Sequence, residues 1–215
     1  MNWSEQAWQE ITPIYKNILE MPFIVELTEG TLDIQKFQFY MAQDSAYLEH
    51  FGRALALIGA RAYHIQDALT FMRFGENAII VENALHESYF ADFGLTARGQ
   101  IQPACHHYIH FLKSTAALDT VEVGMAALLP CFWIYKQVGD YIYSAKSQRD
   151  NPYQKWIDTY AGEEFGNEVK KAIGICDRIA SATTIDMRQK MTEAFVTAAR
   201  LEYDFWNAAY TLRTW

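Results

Sequence analysis

Residues 31–62 read TLDIQKFQFYMAQDSAYLEHFGRALALIGARA. Within them Phe37, Tyr40, Asp44, Tyr47, Leu48, Phe51 and Leu55 recur at intervals of three or four. An α-helix returns to the same face about every 3.6 residues, so this spacing predicts a helix with one inward stripe. Thr31 is placed to cap it, and the pattern continues to about Ala62. One carboxylate, Asp44, interrupts an otherwise apolar stripe.

The same period recurs on both sides of this stretch. Ala7, Trp8, Ile11, Ile14, Tyr15 and Ile18 predict a first helix. Pro22–Glu29 suits a short helix closed by Gly30. Downstream, helices are expected over Ile65–Arg73 and Asn77–Phe93, with Gly94 as a stop. Pro103 can open the next in its first turn. Asp119 and Glu122 resemble a capping box for a helix reaching about Ser147, with Pro130 inside it. Asn151-Pro152 opens a short helix to Tyr160, Glu163–Ala180 forms another, and Thr184 caps the last. No strand-like alternation persists, and no Asn-Gly or Asp-Gly hairpin signal appears. The expectation is one all-α domain spanning 1–215, a single bundle of about nine or ten helices.

Composition narrows the function classes. The chain has 215 residues, of which 51% are hydrophobic, 15% aromatic and 20% charged. A chain of this length buries roughly 70% of its unfolded surface, enough for one sizeable core. The net charge of −8 repels phosphate backbones, and no Lys/Arg cluster offsets it, so nucleic acid is not expected as a partner. Cys105, Cys131 and Cys176 are odd in number and widely spaced, which argues against a disulfide framework and for a reducing compartment. The start MNWSEQAWQE shows no secretory pattern, and no run of eighteen apolar residues exists. A cytoplasmic protein without membrane partners is expected.

Four segments place chemically distinctive groups on apolar helix faces. In QDSAYLEHF, Asp44 and Tyr47 share a face; the acid could receive an amine, or be a partly exposed Asp beside a core Tyr. In ALLPCFWIYKQVGDYIY, Cys131 and Tyr135 lie four apart, just after a proline that frees a carbonyl one turn earlier. The thiol reads as a nucleophile or as a small buried hydrophobe. Cys105 and Cys176 have no such setting and read as structural. In YQKWIDTYAGEEF, Tyr160 ends a short helix, pointing into a cleft or packing in the core. In RLEYDFWNAAY, Glu202 precedes Phe205 by three and Trp206 by four. On that aromatic face it would be desolvated, its pKa raised, and suited to donate a proton; the other reading is a solvated Glu. Asp204 faces away and reads as a surface residue. His106 and His110, or Glu82 and His86, have spacing for a shared metal. No Glu-x-x-His pair of the di-iron kind occurs, and His106, His107 and His110 read better as a helix flank.

Taken together these segments resemble the TenA family, also called thiaminase II. LLPCFWIY at 128–135, YQKWIDTYAG at 153–162 and LEYDFWNAAY at 201–210 carry the resemblance, with QDSAYL at 43–48 and ENALHESYFADFG at 82–94 in support. The motifs keep their order, and the resemblance runs nearly end to end. It implies a heme-oxygenase-like bundle without heme, assembled as a homotetramer. It also implies a hydrolase of thiamin salvage with no metal or organic cofactor. The branch with a cysteine at the position of Cys131 converts thiamin, or an aminomethyl pyrimidine derived from it, to hydroxymethylpyrimidine. The resemblance assigns Cys131 as nucleophile, Glu202 as the acid at a ring nitrogen and Asp44 as the anchor of the exocyclic amine. Tyr47, Tyr108, Tyr135 and Phe205 are implied as aromatic walls, and Tyr160 as a polar contact near the reacting centre. Two other readings remain at this point: a non-catalytic thiamin-binding or regulatory protein, and a di-iron oxidase on the same fold.

Overall fold

The computed structural model describes residues 1–93, 99–145 and 151–215, with the backbone alone for 81–87 and 89–92. Among them are nine helices and no strand. These are α1 (Trp3–Glu20), α2 (Pro22–Glu29), α3 (Ile34–Arg61), α4 (Ile65–Asp92), α5 (Pro103–Leu118), α6 (Val121–Ala145), α7 (Gln154–Ala161), α8 (Glu163–Ala182) and α9 (Ile185–Tyr210). α3 packs chiefly on α4 and α5, while α6 packs on α9, α7 and α8. The predicted stripe of α3 is the buried one: Phe37, Tyr40, Asp44, Tyr47, Leu48, Phe51 and Leu55 are all buried.

Several predicted boundaries hold because they rest on local chemistry. Pro22 and Pro103 open α2 and α5. Gly30 closes α2 in the left-handed conformation, at φ 72°. The Thr184 hydroxyl accepts from the Met187 N–H and caps α9.

Three boundaries differ from expectation, each because a neighbour claims the group first. α3 is capped by Asp33, whose carboxylate accepts from the Gln35 N–H at 2.7 Å. Thr31 belongs to the end of α2: its N–H and that of Leu32 bond the Glu26 carbonyl, and its hydroxyl donates to the same oxygen at 3.4 Å. Asp119 ends α5, its N–H bonding Thr115, and so does not start α6. The two helices expected over 65–93 are one. A glycine inside a helix costs about 1 kcal/mol, but Gly75 faces Gly52 across the α3–α4 crossing. A Cβ on Gly75 would come 2.9 Å from the Gly52 carbonyl oxygen, so the small pair permits the close contact that keeps α4 continuous. Ser147, the expected end of α6, lies outside the described residues.

A second close approach positions part of the site. A Cβ on Gly139 of α6 would lie 2.7 Å from the Tyr160 carbonyl carbon, so α7 rests directly on α6 at that point. Lys136 ties the same corner, donating to the Ala161 carbonyl at 3.0 Å. Tyr160 is thereby held beside Tyr135, with ring centroids 4.9 Å apart.

Candidate active site

A cavity of about 360 Å³ opens between α3, α4, α6, α7 and the start of α8. Five of the eight predicted site residues line it: Asp44 and Tyr47 from α3, Cys131 and Tyr135 from α6, and Tyr160 from α7. The other three do not line it and lie against that wall. Tyr108 packs tilted on Tyr47 with centroids 4.8 Å apart, Phe205 packs on Tyr47 at 5.6 Å, and Glu202 accepts from Tyr108. The residues therefore form two layers, a wall and a backing.

The backing layer holds the acid. Glu202 is 1% exposed, and its Oε1 accepts from the Tyr108 hydroxyl at 2.7 Å. Burial pushes its carboxyl from 4.5 to about 8; the Tyr108 hydrogen bond opposes this, and the Asp44 charge adds to it. A group with that pKa carries its proton at neutral pH and can donate it. Asp44 is itself only 2% exposed. Asp204 lies at the surface as expected, part-exposed and paired with Arg213 at 2.7 Å.

The wall is aromatic and polar at once. Burial, and then the neighbouring Cys131, Tyr108 and Glu202, raise the Tyr47 phenol well above its usual pKa. Its hydroxyl lies against the Cys131 thiol and the Tyr108 hydroxyl. Tyr135 accepts from the Tyr40 hydroxyl at 3.3 Å, and Tyr40 in turn accepts from the Trp156 indole N–H at 3.1 Å. This chain fixes the Tyr135 ring from behind. Cys131 is 7% exposed and follows Pro130, whose missing N–H leaves the Ala126 carbonyl without a helical donor. Cys105 and Cys176 are buried away from the cavity, and burial pushes both thiols far up.

The cavity also carries groups that sequence reading assigns to other jobs. Asn77 and Glu163 read as helix starts, and Glu164 and Glu168 carry no assignment beyond their helix. The fold turns all four onto the cavity, together with Asp158. Asn77 donates to Glu168 Oε1 at 2.6 Å, joining α4 to α8. Phe74, Phe132 and Phe165 complete the apolar side. Their only sequence signal is the helical period, which marks every core aromatic alike.

Among the described residues the histidines form no ligand set. His106 and His110 stack with centroids 4.2 Å apart, but no three His, Cys, Asp or Glu side chains among the described residues converge on a point. The side chains of Glu82 and His86 lie outside the described residues. Among the described residues no helix is long and apolar enough to cross a membrane.

Comparison with known proteins identifies the family and the fold. The TENA/THI-4/PQQC family model matches residues 8–212. The aminopyrimidine aminohydrolase of Bacillus subtilis (strain 168) is 30% identical over 220 residues, covering 100% of this chain and 92% of that protein. Among solved structures, a TenA homologue protein from P. horikoshii OT3 superposes with a TM-score of 0.89 at 27% identity, covering 98% of this chain and 99% of the other. A domain of heme oxygenase-like fold from Shewanella denitrificans superposes at 0.79, covering 97% of this chain and 92% of that one; its 14% identity speaks to the fold alone.

Proposed function

Because the chain belongs to the TENA/THI-4/PQQC family, we propose that it is a hydrolase of thiamin salvage acting on an aminopyrimidine, thiamin itself or its aminomethyl breakdown product. The observation that carries this is a thiol and a carboxylate on one aromatic cavity wall, backed by an acid protonated at neutral pH.

The chemistry follows from those groups. A neutral aminopyrimidine is a poor electrophile. Asp44 accepts from its exocyclic amine, and Tyr47 and Tyr135 flank the ring. The Cys131 thiolate adds to a ring carbon while a ring nitrogen takes a proton whose source is Glu202, one layer behind the cavity wall, which breaks aromaticity. The electron pair then expels the leaving group from the exocyclic methylene. Water adds to that methylene, the proton returns to Glu202, and the thiolate departs. The balance is aminomethyl pyrimidine plus water to hydroxymethylpyrimidine plus ammonia, or thiamin plus water to hydroxymethylpyrimidine, thiazole and a proton. Every step uses groups of the chain itself. Incubating the purified protein with each substrate and following hydroxymethylpyrimidine tests the reading. Absence of product from both overturns it.

Asp44→Ala is expected to lower kcat/KM by roughly tenfold to more than a hundredfold, because a buried donor left unpaired costs about 1–3 kcal/mol. An analogue lacking the exocyclic amine should react poorly with the wild type and lose little further in the variant. Simple addition of the two losses would show that Asp44 does not meet the amine.

We further propose that residues 1–215 act as one domain in a cytoplasmic homotetramer. The three free cysteines suit a reducing compartment. Along α4, Ile65, Leu69, Met72, Ile79 and Ile80 leave apolar surface exposed that assembly would cover. Light scattering on the purified protein is expected to give four times the 24.8 kDa chain mass; a monomer mass would refute it.

A further inference from the structure

The cavity is uniformly acidic toward its mouth. Asp158, Glu163, Glu164 and Glu168 line it in addition to Asp44, and none of its lining residues among those described is Lys, Arg or His. One of these acids is fixed. Glu168 is half-buried and bonded by the Asn77 amide at 2.6 Å across the gap between α4 and α8. Burial raises its pKa; the Asn77 bond and Lys171 on the same helix oppose this, and Glu164 adds to it.

Position decides what such a carboxylate meets. With the amine on Asp44 and a ring nitrogen toward Glu202, the pyrimidine occupies the buried end, and its exocyclic methylene points outward. The leaving group therefore lies among the mouth residues. In both candidate substrates it is a cation, a primary ammonium or a thiazolium. A fixed carboxylate in a partly desolvated mouth attracts a cation and repels a phosphate.

Resting on the function proposed above, we propose that Glu168, held by Asn77, is a specificity-determining residue that selects substrates with a cationic leaving group and rejects phosphate esters. It acts on the departing half of the substrate and leaves the pyrimidine contacts to the buried end.

The test is Glu168→Gln, which keeps shape and an acceptor for Asn77 but removes the charge. Four quantities are measured: KM and kcat for the aminomethyl pyrimidine, and dissociation constants for neutral hydroxymethylpyrimidine and for its phosphate. KM is expected to rise about three- to tenfold with kcat within about twofold. Binding of the neutral product should be unchanged, and the phosphate should gain on it. The dependence of KM on salt should flatten, because a screened attraction has been removed. Asn77→Ala, which frees the carboxylate without deleting it, should give a smaller change of the same sign. An unchanged KM with unchanged salt dependence overturns the proposal. So does parallel weakening of neutral-product binding, which marks a structural role. A wild type that binds neither neutral product nor substrate refutes instead the function on which this rests.

Discussion

Cys131→Ser is expected to lower kcat by roughly three orders of magnitude or more while leaving the protein folded. A serine hydroxyl occupies nearly the same space, and the site is 7% exposed, so packing around Pro130 and Phe132 should survive. What is lost is the soft anion that adds to the ring. An alcohol is far harder to deprotonate, so the covalent step loses its driving force while ground-state contacts with Asp44, Tyr47 and Tyr135 remain. The dissociation constant for hydroxymethylpyrimidine should therefore stay within a few-fold of wild type, and the melting temperature should move little. Cys105→Ser and Cys176→Ser are the controls, since neither thiol lines the cavity and burial holds both protonated. Near-normal turnover in Cys131→Ser would remove the nucleophile assignment. Loss of turnover in the controls would show that serine disturbs packing anywhere in this core.

The second large effect belongs to Glu202. Because its folded-state pKa is raised to about 8, the carboxyl is protonated below that pH and loses its proton above it. If the proton it gives is required, kcat/KM for a substrate that does not titrate near pH 8, such as thiamin, should fall as pH rises through about 8. Glu202→Gln should remove this alkaline limb and lower kcat by roughly 10²–10⁴-fold, the range for losing a positioned acid. Stability has the same sign. A pKa raised from 4.5 to about 8 means that the contribution of this group is full below about pH 4.5 and is lost as pH rises through 8. Wild type should therefore melt progressively lower than Glu202→Gln as pH rises from about 4.5 to 8, and the gap should level off above 8. A flat activity profile from pH 7 to 9 in the wild type would count against the acid role.

Legibility in the sequence divides along the same physical line in fold and site. The α3 stripe, the proline starts of α2 and α5, the Gly30 stop and the Thr184 cap depend on neighbours within about one helical turn, and all are readable. Thr31, Gly75 and Asp119 mislead because each answers to a second helix or turn. The Thr31 N–H is taken by Glu26, Gly75 meets Gly52, and the Asp119 N–H is taken by Thr115. For the site, Asp44, Cys131 and Glu202 stand out as polar or reactive groups on apolar faces, and the ordered motifs around them point to the family.

The sequence by itself determined that this protein is helical throughout, which faces are buried, and which few side chains are out of place on them. Those follow from the helical period and the cost of burying polar groups, both local properties of the chain. Only the tertiary structure decided that α3, α6 and α7 bring five of those side chains to one cavity while Tyr108, Glu202 and Phe205 back it. It likewise decided that Glu202 is buried deeply enough to hold a proton near pH 8, and that Asn77 and Glu168 meet at the mouth. These depend on how closely helices far apart in the chain approach. That distance is set by residues such as Gly52, Gly75 and Gly139, whose missing side chains carry no periodic signal.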